Sequence, residues 1–284
     1  MIITKILGGL GNQLFQYAAG KALAVQNGTE LKLDLTGFMD YNLRDFELNR
    51  FSVSCSVATA EEIKKYKASN SIQRIKARFS PASSRTFYKE PFFHFDPTFF
   101  SLRPPIYVQG YFQSEKYFES IKGQLQNELV LKESFSNEVL NLAQRLRQEN
   151  SVSVHIRRGD YKNAESLRVH GILPKTYYQK AVDRIVQQTT GRLQVYIFSD
   201  DPKAANEFNI QNAVTVSGTV SKNHYEDFYL MQQCRHNVIA NSSFSWWAAW
   251  LNNHEDKIVV APTRWFNEGP KDTQDLLPST WIRL

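Results

Sequence analysis

Apolar residues in this chain fall into short runs separated by stretches of helical period. Residues 2–7 read as a strand, 13–25 as a helix and 31–34 as a second strand. From 41 to 103 the pattern is less regular, and Pro91, Pro97, Pro104 and Pro105 punctuate it. A strand is predicted at 106–108, with 111–118 leading into a helix. In 136–148, Val139, Leu142, Ala143 and Leu146 share one helical face. Beyond 150 the alternation is clean. Strands are predicted at 152–156, 193–198, 214–217, 238–240 and 258–261, the last in the chain. Helices are predicted at 175–188, 225–234 and 244–251. Such alternation predicts parallel sheets with right-handed crossovers. It divides the chain into two α/β halves, 1–140 and 141–284, with the boundary in the 135–150 region.

The polar clusters sit at one kind of place. RRGD (157–160), SDD (199–201) and NSS (241–243) each follow a predicted strand. Ligands of open α/β sheets bind outside the carboxyl ends of the strands. In HIRRGDY (155–161), alternation along a strand puts His155 and Arg157 on one face and Arg158 on the other. An arginine there can grip a phosphate bidentately, and Asp160 can orient one of the two. Taken alone, the motif reads equally as a structural Arg–Asp pair with a buried histidine. In SDD, Asp200 or Asp201 can pair with two adjacent N–H donors, such as those of guanine. An Asp before Pro202 also suits a helix start. In NSSFSWWAAWL (241–251), Ser242 or Ser243 is placed to cap a helix whose core stripe is Phe244, Trp247, Ala248 and Leu251. That N-terminus favours a phosphate. Trp246 and Trp250 lie off the stripe, where a sugar or the other half of the chain can meet them.

The first glycine turn, GGLGNQ (8–13), resembles a dinucleotide fingerprint, with Asp34 placed like its ribose acid. The third glycine is missing, however; Leu14 stands there. Tyr17 and Lys21 form a YxxxK far too early for a short-chain dehydrogenase. Asn12 and Gln13 instead offer amide donors and acceptors at the loop.

Composition narrows the classes. The chain has 284 residues, 42% of them hydrophobic, and a net charge of +6, which favours anionic partners. Much of the excess lies at 64–89, where Lys64, Lys65, Lys67, Arg74, Lys76, Arg78, Arg85 and Lys89 meet only Glu61 and Glu62, just before the run. That stretch reads either as a peripheral patch for anionic lipid or as a soluble connector. Cys55 and Cys234 make neither a disulfide framework nor a zinc site, and the six histidines lack HExxH spacing. The first apolar run is too short for a signal segment or a membrane span, so a reduced cytoplasmic setting is expected, with peripheral contact to the inner membrane an option. Two sequons, at Asn27 and Asn241, are read as chance matches. No nucleic-acid recognition motif is present.

Four motifs carry a family resemblance. HIRRGDY resembles the HxRRGDY signature of the α-1,2-fucosyltransferases of glycosyltransferase family eleven. GGLGNQLFQYAAG (8–20), FSDD (198–201) and NSSFSWWAAWL resemble that family's other blocks, in the same order. The resemblance implies a GT-B fold, two Rossmann-like domains facing each other across a cleft, in a bacterial form that needs neither cofactor nor metal. It implies GDP-β-L-fucose as donor and the 2-hydroxyl of a terminal galactoside as acceptor, lactose-like or in an O-antigen glycan, with inversion at the anomeric carbon. By resemblance, Arg157 holds the diphosphate and His155 and Arg158 lie near the nucleotide. Asp201 reads guanine, with Asp200 as substitute. Ser242, Ser243 and Ser245 contact phosphate, joined by Gly11 and Asn12 from the glycine turn. Asn12, Gln13 and Trp246 serve the acceptor. Glu165, with Asp160 and His170 as rivals, takes the acceptor proton. The alternative is a non-catalytic protein of the same fold that binds GDP-sugar or glycan.

Overall fold

A computed structural model describes residues 1–38, 45–67, 75, 79–158 and 164–284, with backbone only at 164–166, 204 and 206. Two compact units emerge. Unit 1 comprises Met1–Lys132 and Asp272–Pro278; unit 2 comprises Glu133–Lys271 and Ser279–Leu284. The boundary thus falls before the position expected at 140, and a late segment returns to unit 1. Its return has a specific cause. Asp272 accepts hydrogen bonds from Phe93 N (3.1 Å) and pairs with His94 Nδ1 (2.9 Å), and Asp275 accepts from Phe95 N (3.1 Å) and Lys116 Nζ (2.6 Å).

Unit 1 is a parallel sheet. Its strands are β1 (Ile2–Lys5), β2 (Leu31–Asp34), β3 (Ser56–Val57), β4 (Phe87–Lys89) and β5 (Ile106–Gln109), in the order β3-β2-β1-β5-β4. Helix α1 (Leu10–Gln26) follows β1 directly. Gly8, at φ +83°, takes the left-handed turn that lets the chain reverse into it. The small residues of α1 allow close docking on the sheet: a Cβ on Gly20 would sit 2.1 Å from Thr4 Oγ1. The irregular middle hides β3, β4 and α2 (Ala60–Tyr66), whose two- and three-residue strands are too short to show a period. Within the basic stretch, Lys67 lies 3.6 Å from Asp34, whereas Arg74, Lys76 and Arg78 fall outside the described residues. The stretch 111–118 does lead into a helix, α3 (Lys122–Glu128). Residues 111–117 form a tight turn and a short 3-10 segment ahead of it.

Unit 2 is a six-stranded parallel sheet in the order β11-β10-β9-β6-β7-β8. The strands are β6 (Ser151–Ile156), β7 (Gln194–Ser199), β8 (Ala213–Thr215), β9 (His236–Val238), β10 (Val259–Ala261) and β11 (Ile282–Arg283). The strand β11, absent from the sequence reading, pairs in parallel with β10. All six residues of β6 are buried, as expected for a central parallel strand covered on both faces. The covering helices are α4 (Asn137–Gln148), α5 (Ala164–His170), α6 (Lys175–Val186), α7 (Pro202–Asn206), α8 (His224–Gln233) and α9 (Ser243–Leu251). The predicted stripe of α4 is the face it buries. Its N-cap Ser136 accepts from Val139 N at 3.3 Å. Among the described residues, no helix is long and apolar enough to cross a membrane.

Candidate functional site: the carboxyl edge of the unit 2 sheet

The strand order of unit 2 reverses between β6 and β9. Connections leave these neighbours toward opposite faces and open a crevice at their carboxyl ends. Arg157 follows β6 there and spans the gap, its Nη1 donating to Asn241 O after β9 (3.1 Å). Asn241 is itself fixed, its Nδ2 donating to His170 O (2.7 Å) and Trp265 O (3.1 Å). Ser242 then occupies the N-cap of α9 with extended backbone, but its side chain makes no cap bond. The cap expected of Ser242 is therefore not made, and the amides of the first turn are left to other acceptors. Ser245 is buried, with its hydroxyl on Ser242 O at 3.3 Å. Ser243 opens the helix and is partly exposed.

His155 lies at the end of β6, fully inside. Burial, reinforced by the Arg157 charge, pushes its pKa down to about 4, so the ring is neutral near pH 7. Its Nδ1 has no hydrogen-bond partner among the described residues, and its ring centroid lies 5.7 Å from that of Phe244 in the first turn of α9. Arg158 points elsewhere. Its guanidinium sits 4.8 Å from the centroid of the Phe208 ring, and its backbone N–H donates to Asp200 Oδ1 at 2.7 Å.

That contact separates the two aspartates. Asp200 ties the end of β7 to the end of β6. Asp201 is exposed, with its carbonyl on Ala205 N (3.0 Å) at the start of α7. A relay that sequence reasoning missed holds this turn from behind. Ser199 N donates to Ser217 Oγ (2.9 Å), Ser217 Oγ donates to Asp227 Oδ2 (2.7 Å), and Ser221 Oγ donates to the other oxygen of Asp227. Burial raises the Asp227 pKa to about 6 against the pull of the two hydroxyls. The only trace in the sequence is an acidic residue on the inner face of α8.

Other expected site residues are placed differently. Trp246 is a core side chain, fully buried against Trp247, Trp250 and Trp281. The sugar-facing role assigned to it fails because α9 is enclosed from Ser245 to Leu251, leaving no off-stripe face. Gln13 is saturated internally: Nε2 donates to Gly8 O and Asp45 O (both 2.8 Å), and Oε1 accepts from Glu47 N (2.9 Å). It holds the 45–47 segment on the glycine turn. Gly11 is buried within the first turn of α1. Asn12 is half-buried and accepts from Gln113 Nε2 at 2.8 Å. Asp34 accepts from Thr36 and Tyr107, while Tyr17 and Lys21 both engage Glu128, so neither oxidoreductase feature is available for a cofactor. Asp160 lies outside the described residues. Glu165 is the second residue of α5, and its side chain is likewise outside the description.

The whole chain, residues 1–284, matches the family described as "Glycosyl transferase family 11". The chain belongs to glycosyltransferase family 11. It is 34% identical over 293 residues to an alpha-1,2-colitosyltransferase of Escherichia coli, covering 100% of this chain and 99% of that protein. It is also 34% identical, over 98% of each chain, to the O-antigen biosynthesis glycosyltransferase WbnK of Escherichia coli. The human galactoside alpha-(1,2)-fucosyltransferase 1 is 25% identical over 86% of this chain and 63% of its own. Among solved structures, a point mutant of Arabidopsis thaliana FUT1 in complex with GDP superposes with a TM-score of 0.53. It has 11% identity and covers 91% of this chain and 69% of that one. That likeness is one of fold: GT-B type, built from two Rossmann-like units. The chain is thus a family 11 glycosyltransferase related to the α-1,2-fucosyltransferases.

Proposed function

We propose that the protein transfers L-fucose from GDP-β-L-fucose to the 2-hydroxyl of a terminal galactoside, with inversion and without a metal. One observation carries the donor side. At the β6/β9 switch point, Arg157 reaches Asn241 O beside the N-terminus of α9, where Ser242 leaves the helix amides uncapped. A fixed guanidinium and a helix N-terminus together offset the charge that builds on departing GDP. Asp201 reads guanine, with Asp200, which accepts from Arg158 N, as the substitute. Neutral His155 fills the floor beneath the diphosphate. The acceptor hydroxyl loses its proton to Glu165, with Asp160 and His170 as the rivals.

A second donor has support in the 34% identity to an alpha-1,2-colitosyltransferase. Colitose is fucose without its 3-hydroxyl. A site that hydrogen-bonds that hydroxyl rejects the deoxy sugar strongly, whereas a purely apolar one does not. Kinetics with GDP-fucose and GDP-colitose on a common galactoside decide the donor. GDP-fucose is expected to show the higher kcat/KM, and the reverse order reassigns it. Arg157→Ala is expected to lose about 10²- to 10³-fold in turnover with its unfolding midpoint kept, the size of one lost transition-state donor. Retained turnover removes Arg157 from the reaction. Near-normal turnover of Glu165→Gln removes Glu165 as proton acceptor.

A further inference from the structure

The short helix α5 (Ala164–His170) is held from its carboxyl end. Seven residues make too few hydrogen bonds for a helix to persist alone, so its place is set by what it is tied to. The last four carbonyls of a helix lack partners within it. In α5 each of the four is met. Leu167 O accepts from Gly171 N (2.8 Å), and Val169 O from Asn267 N (2.7 Å). Arg168 O accepts from Asn267 Nδ2 (3.2 Å), and His170 O from Asn241 Nδ2 (2.7 Å). Gly171 closes the helix at φ +65°, where a Cβ would also crowd Asn267 Cβ at 3.1 Å.

Two asparagines therefore carry the end of α5, and they differ in reach. Asn267 is exposed and braced inside its own loop, its Oδ1 accepting from Arg264 Nη2 (2.7 Å). Asn241 is only 4% exposed and joins three segments. Its Nδ2 donates to His170 O and to Trp265 O (3.1 Å), and its carbonyl accepts from Arg157 Nη1 (3.1 Å). One residue thus touches the arginine after β6, the end of α5 and the chain beyond β10. Both hydrogens of its amide are spent on carbonyls, so its side chain is an anchor and not a ligand. The helix it anchors carries Glu165 at its second position and His170 at its last, two of the three candidate proton acceptors.

We propose that Asn241 is a positioning residue of the transfer reaction. Its backbone holds the Arg157 guanidinium while its side chain holds α5, so leaving-group stabilisation and proton removal keep a fixed spacing. Asn267 supports the same helix end without touching Arg157. The roles of Arg157 and α5 here rest on the fucosyl-transfer reading. The sequence shows Asn241 only at the head of NSS and of a chance sequon.

Asn241→Ala and Asn267→Ala test this against the wild type in three measurements: steady-state transfer from GDP-fucose to methyl β-galactoside, GDP calorimetry, and hydrogen exchange over 164–171. Asn241→Ala removes the amide and leaves in place the backbone carbonyl that meets Arg157. Both variants are expected to lower kcat about 10- to 100-fold, the cost of a misplaced catalytic group. Donor KM and GDP affinity are expected to hold, and exchange over 164–171 to quicken. A merely structural asparagine would lower the unfolding midpoint and leave kcat per folded molecule where it was. That result, or a GDP affinity that falls in step with kcat, overturns the proposal. Asn267→Ala lies at an exposed position and keeps the test decisive should Asn241→Ala fail to fold. No product from the wild type would count against the transfer reading. Faster exchange over 164–171 in the variants would still uphold the asparagines as anchors of α5, and unchanged exchange would overturn that too.

Discussion

The aspartate pair after β7 shows how one backbone contact assigns roles. Asp200 Oδ1 accepts the Arg158 N–H, a bond an asparagine can still accept. Asp201, exposed like Asp200, follows it at the start of α7. Asp201→Asn is therefore expected to weaken GDP binding about 10- to 100-fold, the size of charge-assisted hydrogen bonds to a base. Asp200→Asn is expected to weaken it less, and calorimetry with GDP that finds the opposite order would reverse the assignment. The sequence made both residues visible, because two acids after a strand are conspicuous, but the bond that separates them joins residues 42 positions apart. Gln13 teaches the complementary lesson. Its place in the glycine turn was legible, yet a glutamine's type does not reveal that both ends of its amide are spent on Gly8, Asp45 and Glu47.

Among the elements, long periodic segments were the readable ones. The buried stripe of α4 was predicted residue by residue because its other faces are wet. The opposite holds for α9, where enclosure on every side leaves no amphipathic phase to read, so Trp246 was misplaced. The relay from β7 to α8 was invisible for another reason: it depends on a turn folding back to put Ser217 and Ser221 on one carboxylate. Asp227 supplies a pH test of that packing. Its folded pKa of about 6 lies above the unfolded value of about 3.9, so the folded state binds the extra proton between the two. The cost of burying its charge is full above pH 6 and is relieved as pH falls toward 4. His224 and Glu226, on the same helix, act on it in opposite directions. Asp227→Asn cannot titrate. Relative to that variant, the wild type is expected to gain on the order of 2 kcal/mol in unfolding free energy from pH 8 to pH 4.5. A difference that stays constant across this range contradicts a buried, ionisable Asp227.

At the scale of the whole molecule, each unit is a parallel sheet, and the strand order of unit 2 reverses at a switch point. That switch point gathers Arg157, Asn241 and the N-terminus of α9. The alternation of strands and helices made the class of fold legible, and the clusters after strands pointed to the edge that gathers Arg157 and Asn241. The left-handed turn at Phe112 was not legible, because no local pattern announces it. The most direct test of the account is the reaction itself. The protein is mixed with GDP-β-L-fucose, a β-galactoside and excess EDTA, and the product is examined by NMR. The expected product is an α-linked fucose on O2 of the galactose, with one GDP released per linkage. Unconsumed GDP-fucose, a β-linkage, or transfer that EDTA abolishes would contradict it.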